Sequence, residues 1–226
     1  MTRHKPFGPY ECFVKRPLGF LISLSALLVL LPVFCILALL VRLKLGSPIF
    51  FTQDRPGRHE KIFRLMKFRT MTDARDANGE LLPDADRLTK FGSFLRSTSL
   101  DELPELLNVL RGDMALIGPR PLLVRYLPWY TVEERHRHDV RPGLSGLAQI
   151  SGRNRLGWDQ RLALDVEYVS RITFLGDLKI IGKTLWKVVR REDVSVDTDQ
   201  TERYLDEERQ ERKVCQEVKE RQESQS

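Results

Sequence analysis

Between Leu18 and Val41 the chain runs for 24 residues without a charge, interrupted in polarity only by Ser23 and Ser25. A stretch of that length and character belongs in lipid. As a straight helix it would reach about 36 Å, enough to cross a hydrocarbon layer of roughly 30 Å. Pro32 lies near its middle and lacks the N–H that would bond to the Leu28 carbonyl, so the helix is expected to kink or break there. Lys15 and Arg16 precede the run and Arg42 and Lys44 follow it. Basic flanks prefer the cytoplasmic side, and two of them are satisfied together by a hairpin that dips into one leaflet. A kinked spanning helix fits the same residues, because prolines are common in such helices, and local pattern favours it while leaving both arrangements open. A cleaved signal does not fit: the run is too long and no small-residue cleavage site follows.

The remaining sequence is large enough to bury a core without staples. The three cysteines, Cys12, Cys35 and Cys215, form no Cys-x-x-Cys pair, which speaks against a secreted disulfide framework and a zinc ribbon. Net charge is +6, divided between a body of +10 and a chain from Arg190 onward of −4. A basic body suits an anionic partner such as phospholipid, nucleotide or nucleic acid. The acidic end has few sizeable apolar residues and reads as a lone solvated helix or as disorder, without a catalytic part.

The expected class is α+β and mostly helical. The segments are an N-terminal membrane segment over 1–44, a folded body over 45–191 and a charged tail over 192–226. Pro48–Gln53 and Lys61–Thr70 predict a short β-hairpin about Arg55-Pro56-Gly57. Asp73–Asp86 is a loop, and Arg87–Arg96 is a short helix with Phe91, Phe94 and Leu95 inward. Ser99 and Glu102 have capping-box spacing before a helix that carries Leu103, Leu106, Leu107 and Leu110 and stops at Gly112; with Pro104 present, Asp101 is the alternative cap. Helices follow over Trp158–Val169 and Phe174–Arg191. On the latter, Lys179, Lys183, Lys187 and Arg191 form a basic stripe, while Leu175, Leu178, Ile181, Leu185 and Val188 mark another face. That helix suits either the membrane interface or the surface of the core.

Walker A, dinucleotide-binding and serine-hydrolase signatures are absent from the sequence. His136, His138 and Asp139 have the chemistry of metal ligands but no third partner at a sensible spacing, and read better as a solvated surface pair. What remains is acid with base: Asp101 and Glu102, beside Lys67, Arg69, Arg96, Arg120, Arg141 and Arg153. Guanidinium groups and a divalent ion hold diphosphate oxygens, and a carboxylate binds the ion or attacks phosphorus, so the set suits phosphoryl transfer from a nucleotide. Locally, an Asp-Glu pair at a helix start is also an ordinary cap.

Eight stretches in order sharpen this. They are Lys15-Arg16 before the proline-interrupted run, Phe51-Thr52-Gln53-Asp54-Arg55-Pro56-Gly57, Lys67-Phe68-Arg69-Thr70-Met71, and Leu95 through Pro104. Then come Asn108 through Met114, Gly118-Pro119-Arg120-Pro121, Arg141-Pro142-Gly143 and Gly152-Arg153. In them the chain resembles the bacterial sugar transferases that act as monotopic polyprenyl-phosphate phosphoglycosyl transferases, in their small, catalytic-domain-only form. The resemblance implies a re-entrant helix broken at Pro32 and a catalytic body on the cytoplasmic face of the inner membrane. It implies that Asp101 attacks the sugar-bearing phosphorus of a UDP-sugar, expelling UMP, and that undecaprenyl phosphate then takes the sugar phosphate. Mg²⁺ on Asp101 and Glu102 and phosphate contacts from Lys67, Arg69, Arg96, Arg120, Arg141 and Arg153 are carried over with it. Small members often take an N-acetylated amino sugar. The implied partners are UDP-sugar, undecaprenyl phosphate and membrane lipid, with no nucleic acid; oligomeric state is left open. The competing expectation is a single-pass adaptor whose basic domain binds anions without chemistry.

Overall fold

The computed structural model describes residues 5–152, 156–190 and 203–223. A π-helical turn over Tyr10–Val14 leads into α1 (Lys15–Val29), and α2 (Leu31–Leu45) follows after a break at Leu30. Pro32 stands in the first turn of α2, where a missing N–H removes no intrahelical bond, so the break falls just before it. Arg16, at the start of α1, donates from Nη1 to the Val109 carbonyl at 2.6 Å and from Nη2 to that of Leu110 at 3.3 Å. Leu37, Val41 and Leu45 of α2 pack with Phe68, Leu95 and Leu103. Leu103 and Val109 are about 9 Å apart along a helix, whereas Arg16 and Val41 would be nearly 40 Å apart on a straight one. The two helices therefore leave the body and return to it as a hairpin.

Outward-facing Leu21, Leu28, Val29, Ile36, Leu39 and Leu43 are all more than half exposed. An apolar surface that extensive is unfavourable in water. Tyr10–Val29 is by length and composition also apolar enough to cross a membrane. The protein is membrane-bound.

β1 (Phe50–Pro56) and β2 (Ile62–Phe68) form an antiparallel hairpin with Phe50 opposite Phe68 and Gln53 opposite Leu65. Its turn lies later than expected. Arg55 and Pro56 belong to the strand, and the reversal uses left-handed His59 and Glu60, closed by the Gly57 N–H bonding to the Lys61 carbonyl at 2.9 Å. A short α3 (Asp84–Arg87) precedes α4 (Lys90–Ser97), which Thr89 caps by accepting from the Gly92 N–H at 3.0 Å. Leu95 points inward; Phe94, expected inward, is about half exposed.

The capping box at Ser99 does not form. Ser99 adopts a left-handed conformation with no side-chain cap, and Leu100–Glu102 makes a 3-10 turn ahead of α5 (Glu105–Arg111). The Glu102 carboxylate is engaged elsewhere, as described below. Gly112, at φ 95°, ends α5 as expected. Fully buried Asn108 holds α5 to β2: its Oδ1 accepts from Met66 N–H at 3.0 Å and its Nδ2 donates to the Arg64 carbonyl at 2.8 Å.

β3 (Ala115–Ile117) pairs in parallel with β4 (Gly143–Ser145), and α6 (Leu147–Ser151) follows. Gly118, Gly143 and Gly146 bring these backbones together. A Cβ on Gly143 would lie 2.1 Å from the Gly118 nitrogen, and one on Gly146 would lie 2.2 Å from the Gly118 oxygen.

α7 (Trp158–Ser170) and α8 (Phe174–Arg190) complete the body. On α8 the inward residues are Asp177 and Ile180, whereas Leu175, Leu178 and Leu185 of the predicted stripe are more than half exposed. Most of the apolar stripe thus faces away from the core, while Ile181 packs against it. Lys179, Lys183 and Lys187 are described; Arg191 lies outside the described residues.

The tail is not a lone helix. α9 (Leu205–Glu223) docks by burying Leu205 completely among Leu122, Tyr126, Trp158 and Leu162. Arg209 joins Glu134 at 2.6 Å and Asp159 at 2.9 Å, and Trp158 Nε1 donates to the Arg203 carbonyl at 2.9 Å.

Candidate active site

A cavity of about 870 Å³ opens among β1, β2, α4, the 3-10 turn at Leu100–Glu102 and the segment after β3. Asp101, Glu102, Lys67, Arg69, Arg96 and Arg120 all line it, so six of the eight candidate residues converge. The other two do not join them within the described structure. Arg141 donates from Nε to the Gly112 carbonyl at 2.8 Å and lines a different cavity, because the end of α5 offers it an unsatisfied carbonyl. Arg153 lies outside the described residues.

Glu102 is bound on two sides. Its Oε1 accepts from Lys67 Nζ at 2.7 Å and from Arg120 Nη2 at 2.8 Å. Burial alone would raise its pKa, but the charges of Arg120 and Lys67 outweigh that and hold it well below the usual carboxylate range. Asp101 differs. It is 8% exposed, yet no described residue donates a hydrogen bond to its carboxylate. Burial lifts its pKa above the ordinary value, with Glu102 adding to the rise and Lys67, Arg120 and Arg96 opposing it. A carboxylate held among cations without being bonded to any of them is free to act on a ligand.

Around this pair the cations are tethered to different degrees. Arg69 donates to the Met71 carbonyl at 2.8 Å and the Ser47 carbonyl at 2.7 Å and pairs with Asp73, so much of its capacity is used in holding the strand exit. Arg96 donates from Nε to Thr70 Oγ1 at 3.1 Å. Behind Arg120, buried Arg137 pairs with Asp165 at 2.7 Å and donates to the Arg120 carbonyl at 2.7 Å, fixing that turn.

Sequence reasoning missed three parts of the site. Glu105 is almost fully buried, 3.3 Å from Lys67 Nζ but outside hydrogen-bonding geometry; burial, then Glu102, pushes its pKa up to about 7 against the pull of Lys67. Arg55 enters the cavity from β1 and bonds Gln53 at 2.6 Å, and burial beside Arg120 lowers it to about 10. Its place in the Phe51–Gly57 stretch was the available signal. The Arg137–Asp165 pair gave no local signal, since its partners are 28 residues apart.

His136 pairs with Asp139 at 2.8 Å, but His138, expected on the surface, is buried against Tyr130, and burial and then Arg137 lower its pKa to about 3. Among the described residues no group of three His, Cys, Asp or Glu side chains could cage a metal.

Residues 10–191 match the model of the family described as bacterial sugar transferase. The chain belongs to that family. The transferase is 57% identical over 154 residues to an uncharacterized sugar transferase, EpsL, of Bacillus subtilis, covering 68% of this chain and 76% of that one. It is 38% identical over 204 residues to the exopolysaccharide production protein ExoY of Sinorhizobium fredii, covering 79% and 90% respectively. To the undecaprenyl-phosphate galactose phosphotransferase of Salmonella typhimurium it is 36% identical over 197 residues, 80% of this chain but 41% of that longer protein. The family match ends at residue 191, before α9.

Proposed function

We propose that the transferase moves a sugar phosphate from a UDP-sugar to undecaprenyl phosphate through a covalent intermediate on Asp101, as the first membrane step in building a glycoconjugate. The observation that carries the reading is the unbonded Asp101 carboxylate in a cavity of phosphate-binding cations. An Asp101 oxygen attacks the sugar-bearing phosphorus, the bond to UMP breaks, and UMP departs with its electron pair. An oxygen of the lipid phosphate then attacks the same phosphorus and the carboxylate leaves, giving a lipid diphosphate sugar. Dividing one displacement between two nucleophiles is covalent catalysis. Arg120 and Lys67, held in place by Glu102, meet the charge that builds on the phosphoryl oxygens, and Arg96 and Arg55 extend the cradle.

Mg²⁺ fits this donor set as an ion shared with substrate. It takes one or two carboxylates together with phosphate oxygens, Asp101 supplies a free one, and Glu102 is the neighbouring second. When bound it would neutralise charge on the diphosphate.

Both ends of the α1–α2 hairpin rest on one body and both flanks are basic, which supports a re-entrant segment in the cytoplasmic leaflet of a bacterial inner membrane. For the donor sugar, the family resemblance implies an N-acetylated amino sugar. Relatives named for galactose support a second reading, a UDP-galactose donor.

The test mixes protein in lipid nanodiscs with Mg²⁺ and single UDP-sugars, without lipid phosphate. A sugar-phosphate adduct on the Asp101 peptide with release of UMP, absent in Asp101→Asn, is the expected result. UDP instead of UMP would sink phosphosugar transfer, and no nucleotide release even with undecaprenyl phosphate would leave the adaptor reading.

A further inference from the structure

A second cavity, of about 720 Å³, lies between α1, β3 and α8 and shares no lining residue with the first. Its wall is chiefly apolar, with Leu18, Ile22, Leu116, Ile117, Ile172 and Ile181 among the lining residues. Its rim is apolar as well: Phe13, Phe174 and Leu178 line it while remaining about half exposed or more. These residues continue the outward stripe of α8 and the lipid-facing surface of α1.

One end of this cleft is basic. Arg16, Arg58 and Arg141 all line it, and none of the three forms an ion pair among the described residues. Each is instead tied to backbone, Arg16 to the Val109 and Leu110 carbonyls, Arg58 to that of Asp139 at 3.0 Å and Arg141 to that of Gly112. The bonds of Arg58 and Arg141 use Nε, so their terminal nitrogens receive no described partner. Their mutual repulsion is real: burial, then Arg16 and Arg58, lower the pKa of Arg141. The two carboxylates on the wall do not relieve it. Glu11 accepts from the Phe7 N–H at 2.7 Å, and Asp177 is shared by Lys15, Tyr10 and Tyr168.

We infer that this cleft is a binding site for one anionic glycerophospholipid, its phosphate among Arg16, Arg58 and Arg141 and an acyl chain along the apolar wall. Charge complementarity decides the headgroup: three cations without a carboxylate partner require an anion, and a zwitterionic lipid brings its own cation. Position decides the source. Arg16 immediately precedes the apolar run, so the arginines stand at headgroup depth and the rim opens to the leaflet. The polyprenyl substrate has to present its phosphate at Asp101, in the other cavity, and is not the occupant.

The full chain is reconstituted in nanodiscs of equimolar phosphatidylcholine and phosphatidylglycerol, extracted in mild detergent and weighed by native mass spectrometry. One phosphatidylglycerol per chain, with phosphatidylcholine excluded, is expected. Arg58→Gln lowers retention about fivefold, the effect of one basic side chain at an anionic lipid surface. Gly19→Phe abolishes retention, since Gly19 lines the cleft, a Cβ there meets nothing within 4 Å, and a ring takes up space the lipid needs. Asp101→Asn keeps its lipid, so this result is independent of the proposed reaction. Equal retention of both lipids, no retained lipid, or retention unmoved by both cleft variants overturns the inference. One-for-one displacement by undecaprenyl phosphate overturns it too, by naming the acceptor as occupant.

Discussion

Both cavities are lined by arginines, and the two sets are held in opposite ways. In the first, Arg120 and Lys67 are fixed by a carboxylate, Glu102, and face a second carboxylate, Asp101, that bonds to nothing described. In the second, Arg16, Arg58 and Arg141 are fixed by backbone carbonyls and face no free carboxylate. An arginine restrained by a carboxylate forms part of a neutralised cluster in which one acid can act as nucleophile. One restrained by a carbonyl keeps its full positive charge for whatever enters. Membership of a recurring motif did not distinguish the two, since Arg120 and Arg141 both sit in Pro/Gly turns.

The sharpest break of this contrast is Asp101→Asn. UMP release should fall by about 10³-fold or more, equal to at least about 4 kcal/mol of barrier. The melting temperature should hold or rise, because a buried unbonded carboxylate is replaced by a neutral side chain; a clear drop would make Asp101 structural. Glu102→Gln comes next. It removes the negative charge shared by Lys67 and Arg120 while keeping an acceptor oxygen, and chemical denaturation should show a loss of about 3 kcal/mol.

Leu205→Ala tests whether the tail supports the polar cavity, since Leu122 lines that cavity and packs on Leu205. A loss of about 3 kcal/mol is expected, with a raised KM for donor and kcat nearly unchanged. Glu105→Gln has a smaller, pH-dependent effect. With its folded pKa raised to about 7 from 4.5, the folded protein holds a proton between those values that the unfolded chain releases. The contribution of Glu105 to stability therefore falls as pH rises through that window; Asp101 acts in the same direction and His138, its pKa lowered to about 3 by burial, in the opposite one. Relative to the parent, the denaturation midpoint of the glutamine variant should climb as pH rises from 4.5 to 7. Smallest of all, Arg141→Gln should cost about 0.5 to 1 kcal/mol of stability at the end of α5 and leave kcat within about threefold. A large kcat loss there would erase the distinction between the cavities.

The sequence made the membrane segment, the hairpin, the end of α5 at Gly112 and the convergence of Asp101 with its cations readable, since each rests on local pattern or on motifs that travel together. It misplaced the β1–β2 reversal because the reversal is built on left-handed His59 and Glu60, residue types that carry no turn signal. It predicted a cap at Ser99 because spacing alone cannot show that Glu102 has a stronger partner in Lys67, 35 residues away. On α8 both faces carry apolar residues, and periodicity does not say which meets the core. The docking of α9 buries one leucine and otherwise uses charged residues such as Arg209 on Glu134 and Arg212 on Asp159, a pattern not separable from a solvated helix.

The glycine contacts between the strands β3 and β4 bear on both cavities. β3 lines the apolar cleft and continues into Arg120 in the polar cavity, while Arg141 precedes β4 and Ala148 and Gln149 follow it on the polar side. Where Gly118 meets Gly143 and Gly146, main chain presses on main chain with no side chain between them. Such a junction has no side-chain rotamer to absorb a shift. The turns that carry Arg120 and Arg141, one at each cavity, are thus joined main chain to main chain.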